Sequence, residues 1–338
     1  MARKDASKEA LDTLRAMAQA GPADDSASQL AALLGHRSNH VVGRAAKLAG
    51  DWQLKAVIPE LLAAFERFMK SPVKSDPTCA AKRPIMEALI SLGHGEPDIY
   101  LRGMRHVQME PVYGGSEDTA ATLRGISGEG LLGCRYTDVF LEMASLLMDL
   151  DPRTRRIATE SLGQTEALPA ELLLRTVALA DRLETARTVV KRLQPDEEDG
   201  DIIALALQGL MRIAPERSLT FVADFLHADK STVSEGAALA IGEARLPESF
   251  SILRQAGQGV RGLDLSMLVL PMALTRDDAA LSFLLQVVED EPTPYAVAAV
   301  NALGIYSGDG IWRTRIAEAV AARGGRQVTA AFEAVFET

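Results

Sequence analysis

The chain repeats itself every 31 residues. The stretch Ala237-Ala238-Leu239-Ala240-Ile241-Gly242 has counterparts at Ala206-Leu207-Gln208-Gly209-Leu210-Met211, Leu268-Val269-Leu270-Pro271-Met272-Ala273 and Ala299-Val300-Asn301-Ala302-Leu303-Gly304. Their last members fall at 211, 242, 273 and 304, three equal steps without a gap. Relative to these anchors, the columns at −1 (Leu210, Ile241, Met272, Leu303), −4 (Leu207, Ala238, Val269, Val300) and −5 (Ala206, Ala237, Leu268, Ala299) are apolar. Spacings of three and four place them on one face of a helix. A fourth column at +8, Leu219, Phe250, Leu281 and Trp312, falls on a second helix, because Pro215, Pro247, Asp277 and Asp309 intervene and suit a turn or helix start. Each unit is read as two helices with one apolar stripe apiece. Two short helices cannot hide such stripes alone, whereas stacking successive pairs can. The expected fold class is all-α: an α-solenoid of stacked antiparallel helix pairs forming a right-handed superhelix.

Earlier anchors are less even: Ala49-Gly50, Leu92-Gly93, Leu132-Gly133 and Leu162-Gly163, with steps of 43, 40, 30 and then 48 to Met211. Longer steps imply inserted loops or an extra helix. A glycine at the anchor is expected to end the first helix at little steric cost. The apolar position after these anchors is Ile58, Leu101 and Leu141 at +8, and Leu172 at +9. Helices are predicted over residues 5–20, 26–34, 39–48, 54–69, 76–92 (with a kink or later start at Pro84), 117–132, 137–148, 152–162, 168–180 and 183–193. The even ladder runs from there to about residue 323. Gly324-Gly325 breaks it, and 327–336 is a last helix. Pro111 and Gly114-Gly115 make the middle of 102–116 a loop. The organisation expected is a capping helix or arm over 1–26, the repeat array over 27–323 with an insertion at about 102–116 and an extra helix at about 182–201, and a C-terminal capping helix over 324–338.

The segment Asp151-Pro152-Arg153-Thr154-Arg155-Arg156-Ile157-Ala158, running to Ser161-Leu162-Gly163, together with the period, resembles the HEAT-repeat family, including its bilin-lyase-like subset. The resemblance covers roughly residues 27–322. Pro271 inside a first helix is in keeping with it; Met211 and Ala273 stand where those repeats usually have glycine. It implies an armadillo-like architecture and says almost nothing of activity, since such arrays host many functions.

Charge and motifs narrow the functions. The net charge is −10, and residues 196–338 hold 21 acids against 11 bases, so the excess negative charge is all there. Phosphate binding demands a basic surface, so nucleic acid is not an expected partner. The basic stretch Arg182, Arg187, Lys191 and Arg192 is countered by Asp181, Glu184 and the acids of 196–201. HEAT-like deoxyhypusine hydroxylases hold iron with His-Glu dipeptides; here the five histidines precede Arg37, Val41, Gly95, Val107 and Ala228. No metal or cofactor is expected: Cys79 and Cys134 stand far apart, and no Walker loop, Gly-x-Ser-x-Gly or His-Glu-x-x-His occurs. Gly125-Ile-Ser-Gly-Glu-Gly130 follows no strand and reads as close helix packing. A start at Met1-Ala-Arg-Lys-Asp5 without an apolar leader, and no long apolar run, lead to an expected cytoplasmic location.

One site candidate remains. Arg102, Arg105 and His106 are spaced as one helical face, Glu110, Tyr113 and Asp118 flank a glycine-bearing loop, and Arg124 follows. Forked guanidinium groups beside carboxylates suit an anionic or peptide ligand, and equally suit a loop held by its own ion pairs. The expected function is a non-enzymatic scaffold binding a protein or peptide on its concave surface or at 102–124. The alternatives are a HEAT-like enzyme resembling the chromophore lyases, with chemistry near that loop, or a nucleic-acid-binding protein akin to HEAT-like glycosylases.

Overall fold

A computed structural model describes residues 2–179, 198–258 and 262–336. It is mostly helical, and its one sheet among the described residues is a two-stranded hairpin. The chain divides into two compact units, Met1–Ser161 and Leu162–Thr338.

The first unit runs α1 (Ala2–Ala20), α2 (Ser26–Leu34), α3 (Asn39–Asp51), α4 (Ile58–Met69), α5 (Pro72–Ser75), α6 (Lys82–Ser91) and α7 (Pro97–Met104). Then come β1 (Met109–Val112), β2 (Gly115–Asp118), α8 (Ala121–Leu132), α9 (Val139–Leu147) and α10 (Pro152–Leu162), which reaches the unit boundary. α3, α6 and α8 pack in succession, with α4 against α6, α7 against α8 and α9 against α8. The N-terminal α1 lies on α3 and buries Leu14.

The second unit holds α11 (Leu168–Leu179), α12 (Glu198–Ile213), α13 (Pro215–Ala223), α14 (Ser231–Ala244), α15 (Ser249–Ala256), α16 (Leu265–Leu274), α17 (Asp278–Asp290), α18 (Thr293–Leu303), α19 (Gly310–Arg323) and α20 (Arg326–Phe336). Here α12, α14, α16 and α18 pack each on the next, the first three of them also touch the helix that follows, and α20 closes on α18. All twelve residues of the −1, −4 and −5 columns are at most 2% exposed. The punctuation acts as its chemistry dictates. Pro215 opens α13, while the Asp277 and Asp309 carboxylates accept from the free first-turn amides of α17 and α19. The stretch 182–201, where an extra helix was expected, lies outside the described residues except for 198–201, which begin α12.

Two expectations need correction. Of the outer column, Leu219, Phe250 and Leu281 are buried, but Trp312 is half-buried against Tyr306, with the Arg315 guanidinium 4.3 Å over its ring. Ile58 and Leu101 are half-buried, and Leu141 and Leu172 face outward at 70% and 59% exposure. The buried residues nearest these positions are Val139 and Met143 in α9, each two residues from Leu141, and Ala170, Glu171 and Leu174 in α11. Two residues turn a helix by about 200°, which carries the side chain to the opposite face. The turn joining first to second helix differs in length, so the register carried across it was wrong.

The anchor glycine was expected to end the first helix. That holds for Gly93, whose φ of +69° follows α6. Gly242, however, lies inside α14, and the left-handed cap is Arg245 at φ +51°. A Cβ at 242 would stand 2.3 Å from the Pro271 carbonyl oxygen of α16. Gly236 meets Ala204 of α12 in the same way. These glycines let neighbouring first helices approach at backbone distance. Gly242→Ala is expected to lower stability by about 1–3 kcal/mol, since the clash is with rigid backbone; urea unfolding against the parent checks it, and an unchanged midpoint would refute the close approach.

Candidate functional site

The middle of 102–116, expected to be a loop, is a strand hairpin. β1 and β2 form an antiparallel hairpin pairing Met109 with Asp118 and Val112 with Gly115, closed at Tyr113-Gly114, where Gly114 has φ +88°. The helix predicted from 117 starts at Ala121, because Ser116, Glu117 and Asp118 are spent in β2. Asp118 Oδ1 instead accepts from the backbone amides of Gln108 (2.9 Å) and Ala120 (3.0 Å), tying the foot of β1 to the start of α8.

The predicted single helical face of Arg102, Arg105 and His106 does not form, because α7 ends at Met104. Arg102 turns out to Glu66, Arg105 to Glu142 at 2.7 Å, and His106 turns inward. Tyr113 is fully exposed at the hairpin tip. The structure does bring together His106, Glu110, Asp118 and Arg124, through residues that carry no recognisable motif.

Gln108 is the hub. Its Oε1 accepts from Lys82 Nζ (2.8 Å), and it lies 3.1 Å from His106 Nε2 and 3.6 Å from Cys79 Sγ. Its Nε2 donates to the Asp76 carbonyl (2.9 Å) and to Glu110 Oε1 (2.6 Å). Donors on one side and acceptors on the other fix the amide's orientation and make His106 Nε2 the protonated ring nitrogen. Glu110 Oε1 also accepts from Thr78 N and Thr119 Oγ1, both at 2.6 Å. Lys82 and Asp76 are wholly buried and paired at 3.2 Å. Asp76 further takes hydrogen bonds from Asn39 Nδ2, Ala81 N and Lys82 N. Thr78 and Cys79 both hold left-handed backbone, φ +57° and +52°, which presents Thr78 N to Glu110. Two such residues in succession store strain that the surrounding bonds must hold.

Beside this hub, Arg124 grips Asp149 with Nε (2.7 Å) and Nη2 (2.9 Å), and its Nη1 reaches Asp118 Oδ2 (2.5 Å) and the His106 carbonyl (3.1 Å). Outside it, Arg153 bridges Glu117 and Asp151.

A comparison with protein-family models finds no match to this chain, and a comparison with curated proteins finds none. Among the described residues no group of three or more histidines, cysteines and acids could hold a metal ion. The basic stretch at 182–192 lies outside the described residues. No described helix is long and apolar enough to cross a membrane.

Titration of His106, Glu110 and Asp118 has one sign. Burial pushes His106 below its usual 6.5, against the Gln108 hydrogen bond. For Glu110, burial pulls upward but the bonds from Thr119, Gln108 and Thr78 outweigh it and hold the carboxyl below 4.5. For Asp118, burial is likewise outweighed, by the Gln108 and Ala120 amides and by Arg124, and the carboxyl sits below 3.8. All three groups bind protons more readily when unfolded, so stability falls as pH falls. The loss is expected to begin below about pH 6.5 from His106 and to steepen below about pH 4.5 as the carboxylates protonate. Unfolding midpoints across pH 3–8 check this; His106→Gln should flatten the upper part of the slope, and an unchanged slope would remove His106 from the account.

Sequence reasoning missed Asp76, Lys82, Gln108, Thr119 and Asp149. Asp76-Pro77 was visible as a helix start, and Asp76 does bind the first amides of α6. Lys82 carried no sign of burial, and Gln108 no sign of any role.

Proposed function

We propose that the chain is a non-enzymatic scaffold: an α-solenoid of HEAT-like helix pairs that receives a protein or peptide partner at the 102–124 hairpin. The observation that supports this reading is the contrast between the hairpin's two sides. Its inner side is tied to the helices by Gln108, Glu110, Asp118 and Arg124. Val107, Met109, Val112 and Tyr113 face outward, at 60%, 50%, 46% and full exposure. Apolar and aromatic side chains on a rigid base are what a binding hot spot requires, because little entropy is lost on docking. The stacked first helices favour the same reading, since a column of repeated hairpins offers one extended face.

The test is a paired pull-down from native lysate with the parent chain and with Val107→Ser/Met109→Ser/Tyr113→Ser. A stoichiometric partner kept by the parent and lost by an equally stable variant is expected. A partner retained by the variant moves the site to the concave face, and no partner with either chain contradicts the scaffold reading. The enzyme alternative is weakened because Arg102 and Arg105 turn away to Glu66 and Glu142. Retention on heparin at moderate salt would favour nucleic acid over both.

A further inference from the structure

We infer that Lys82 and Gln108 are the two ends of an internal isopeptide cross-link that ties the hairpin's foot to the start of α6. The Lys82 ammonium, with three protons to place, is paired with the Asp76 carboxylate. Here Nζ also contacts a carboxamide oxygen, at 2.8 Å, inside a fully buried cluster with carboxylates on both sides. Each part needed for amide exchange has a named group. Asp76 Oδ2, 3.2 Å from Nζ, takes the ammonium proton. The freed amine attacks Gln108 Cδ, forming a new C–N bond. Charge developing on Oε1 meets the His106 Nε2–H at 3.1 Å and the Cys79 thiol at 3.6 Å, an oxyanion-hole arrangement. Glu110 Oε1, already 2.6 Å from Nε2, passes a proton from the attacking nitrogen to the leaving one. The Cδ–Nε2 bond breaks, ammonia leaves, and the proton held by Asp76 goes with it as ammonium. Atoms and charge balance, and no oxidant, reductant or co-reactant is consumed. The product closes a ring between positions 26 residues apart, so the denatured chain stays looped.

Intact mass spectrometry of the denatured full chain tests this without any variant. The expected mass is lower than the sequence mass by one ammonia, with a branched tryptic peptide joining Lys82 to Gln108. Lys82→Arg, which keeps a cation opposite Asp76, is expected at its full mass. A parent chain at full mass, with Lys82 open to acylation once denatured, overturns the inference. So does an ammonia deficit that maps to Cys79 and is reversed by hydroxylamine, because that outcome is a Cys–Gln thioester.

Discussion

Arg124→Met is expected to lower the stability of the first unit by about 3–5 kcal/mol. Arg124 is 6% exposed and neutralises two carboxylates, Asp118 and Asp149, that are themselves largely shielded. Methionine keeps the volume and removes the charge. Two carboxylates then remain close together in a poorly solvated place, and the His106 carbonyl loses its donor. The larger part of the cost comes from those stranded groups rather than from the pair's own attraction. A second substitution should therefore recover part of the loss: Arg124→Met/Asp149→Leu is expected to be more stable than Arg124→Met alone. The chain has two tryptophans, Trp52 in the first unit and Trp312 in the second. With Trp312→Phe as background, Trp52 fluorescence in urea reports the first unit. A loss below about 1 kcal/mol would place Arg124 among surface pairs of negligible worth.

Ile241→Ala is expected to lower the stability of the second unit by about 2–5 kcal/mol, and Leu210→Ala and Leu303→Ala by similar amounts. These side chains are fully buried at equivalent places in α14, α12 and α18. Each lies on a first helix that packs against a neighbouring first helix. Truncation removes apolar surface from burial and leaves a cavity, because Gly236 and Gly242 already hold the neighbouring backbones at contact distance. Leu141→Ala is the control. Leu141 sits on the outer column by sequence but is 70% exposed, so its loss is expected to stay within about 0.5 kcal/mol. Urea unfolding followed at Trp312, with Trp52→Phe as background, reads the second unit, and far-ultraviolet circular dichroism reads Leu141→Ala. Equal effects at Leu141 and Ile241 would mean that register position, and not burial, had been measured.

The difference between these positions shows what the sequence could say. Leu210, Ile241, Met272 and Leu303 were legible because helical periodicity is set within one element, and the 31-residue step repeats it without insertion. Leu141 and Leu172 were misread because the step from first to second helix crosses a turn whose length varies, and an offset of two residues reverses a helix face. The hairpin was hidden for a different reason. Its strands are four residues long, β1 contains Pro111, and neither alternates apolar with polar residues. What makes Met109–Val112 a strand is tertiary: Glu110 finds Thr78, Gln108 and Thr119 on its inner side. Of the candidate residues, Glu110, Asp118 and Arg124 belong to the inner cluster because their charges need partners there. Arg102 and Arg105 leave it because the helix expected to align them stops at Met104. Gln108, at the centre, was illegible, since a glutamine's role depends entirely on what the fold sets around it.

The central claim is that hairpins of the second unit hide their apolar columns by leaning on their sequence neighbours. Hydrogen exchange resolved by fragment, on the full chain carrying Ile241→Ala, tests it most directly. The account predicts faster exchange in α14 and in its neighbours α12 and α16, with α18 and α20 changed least, because in a linear array each unit is supported only by those adjacent to it. Equal acceleration from α12 through α20, or none in α12 and α16, would contradict it.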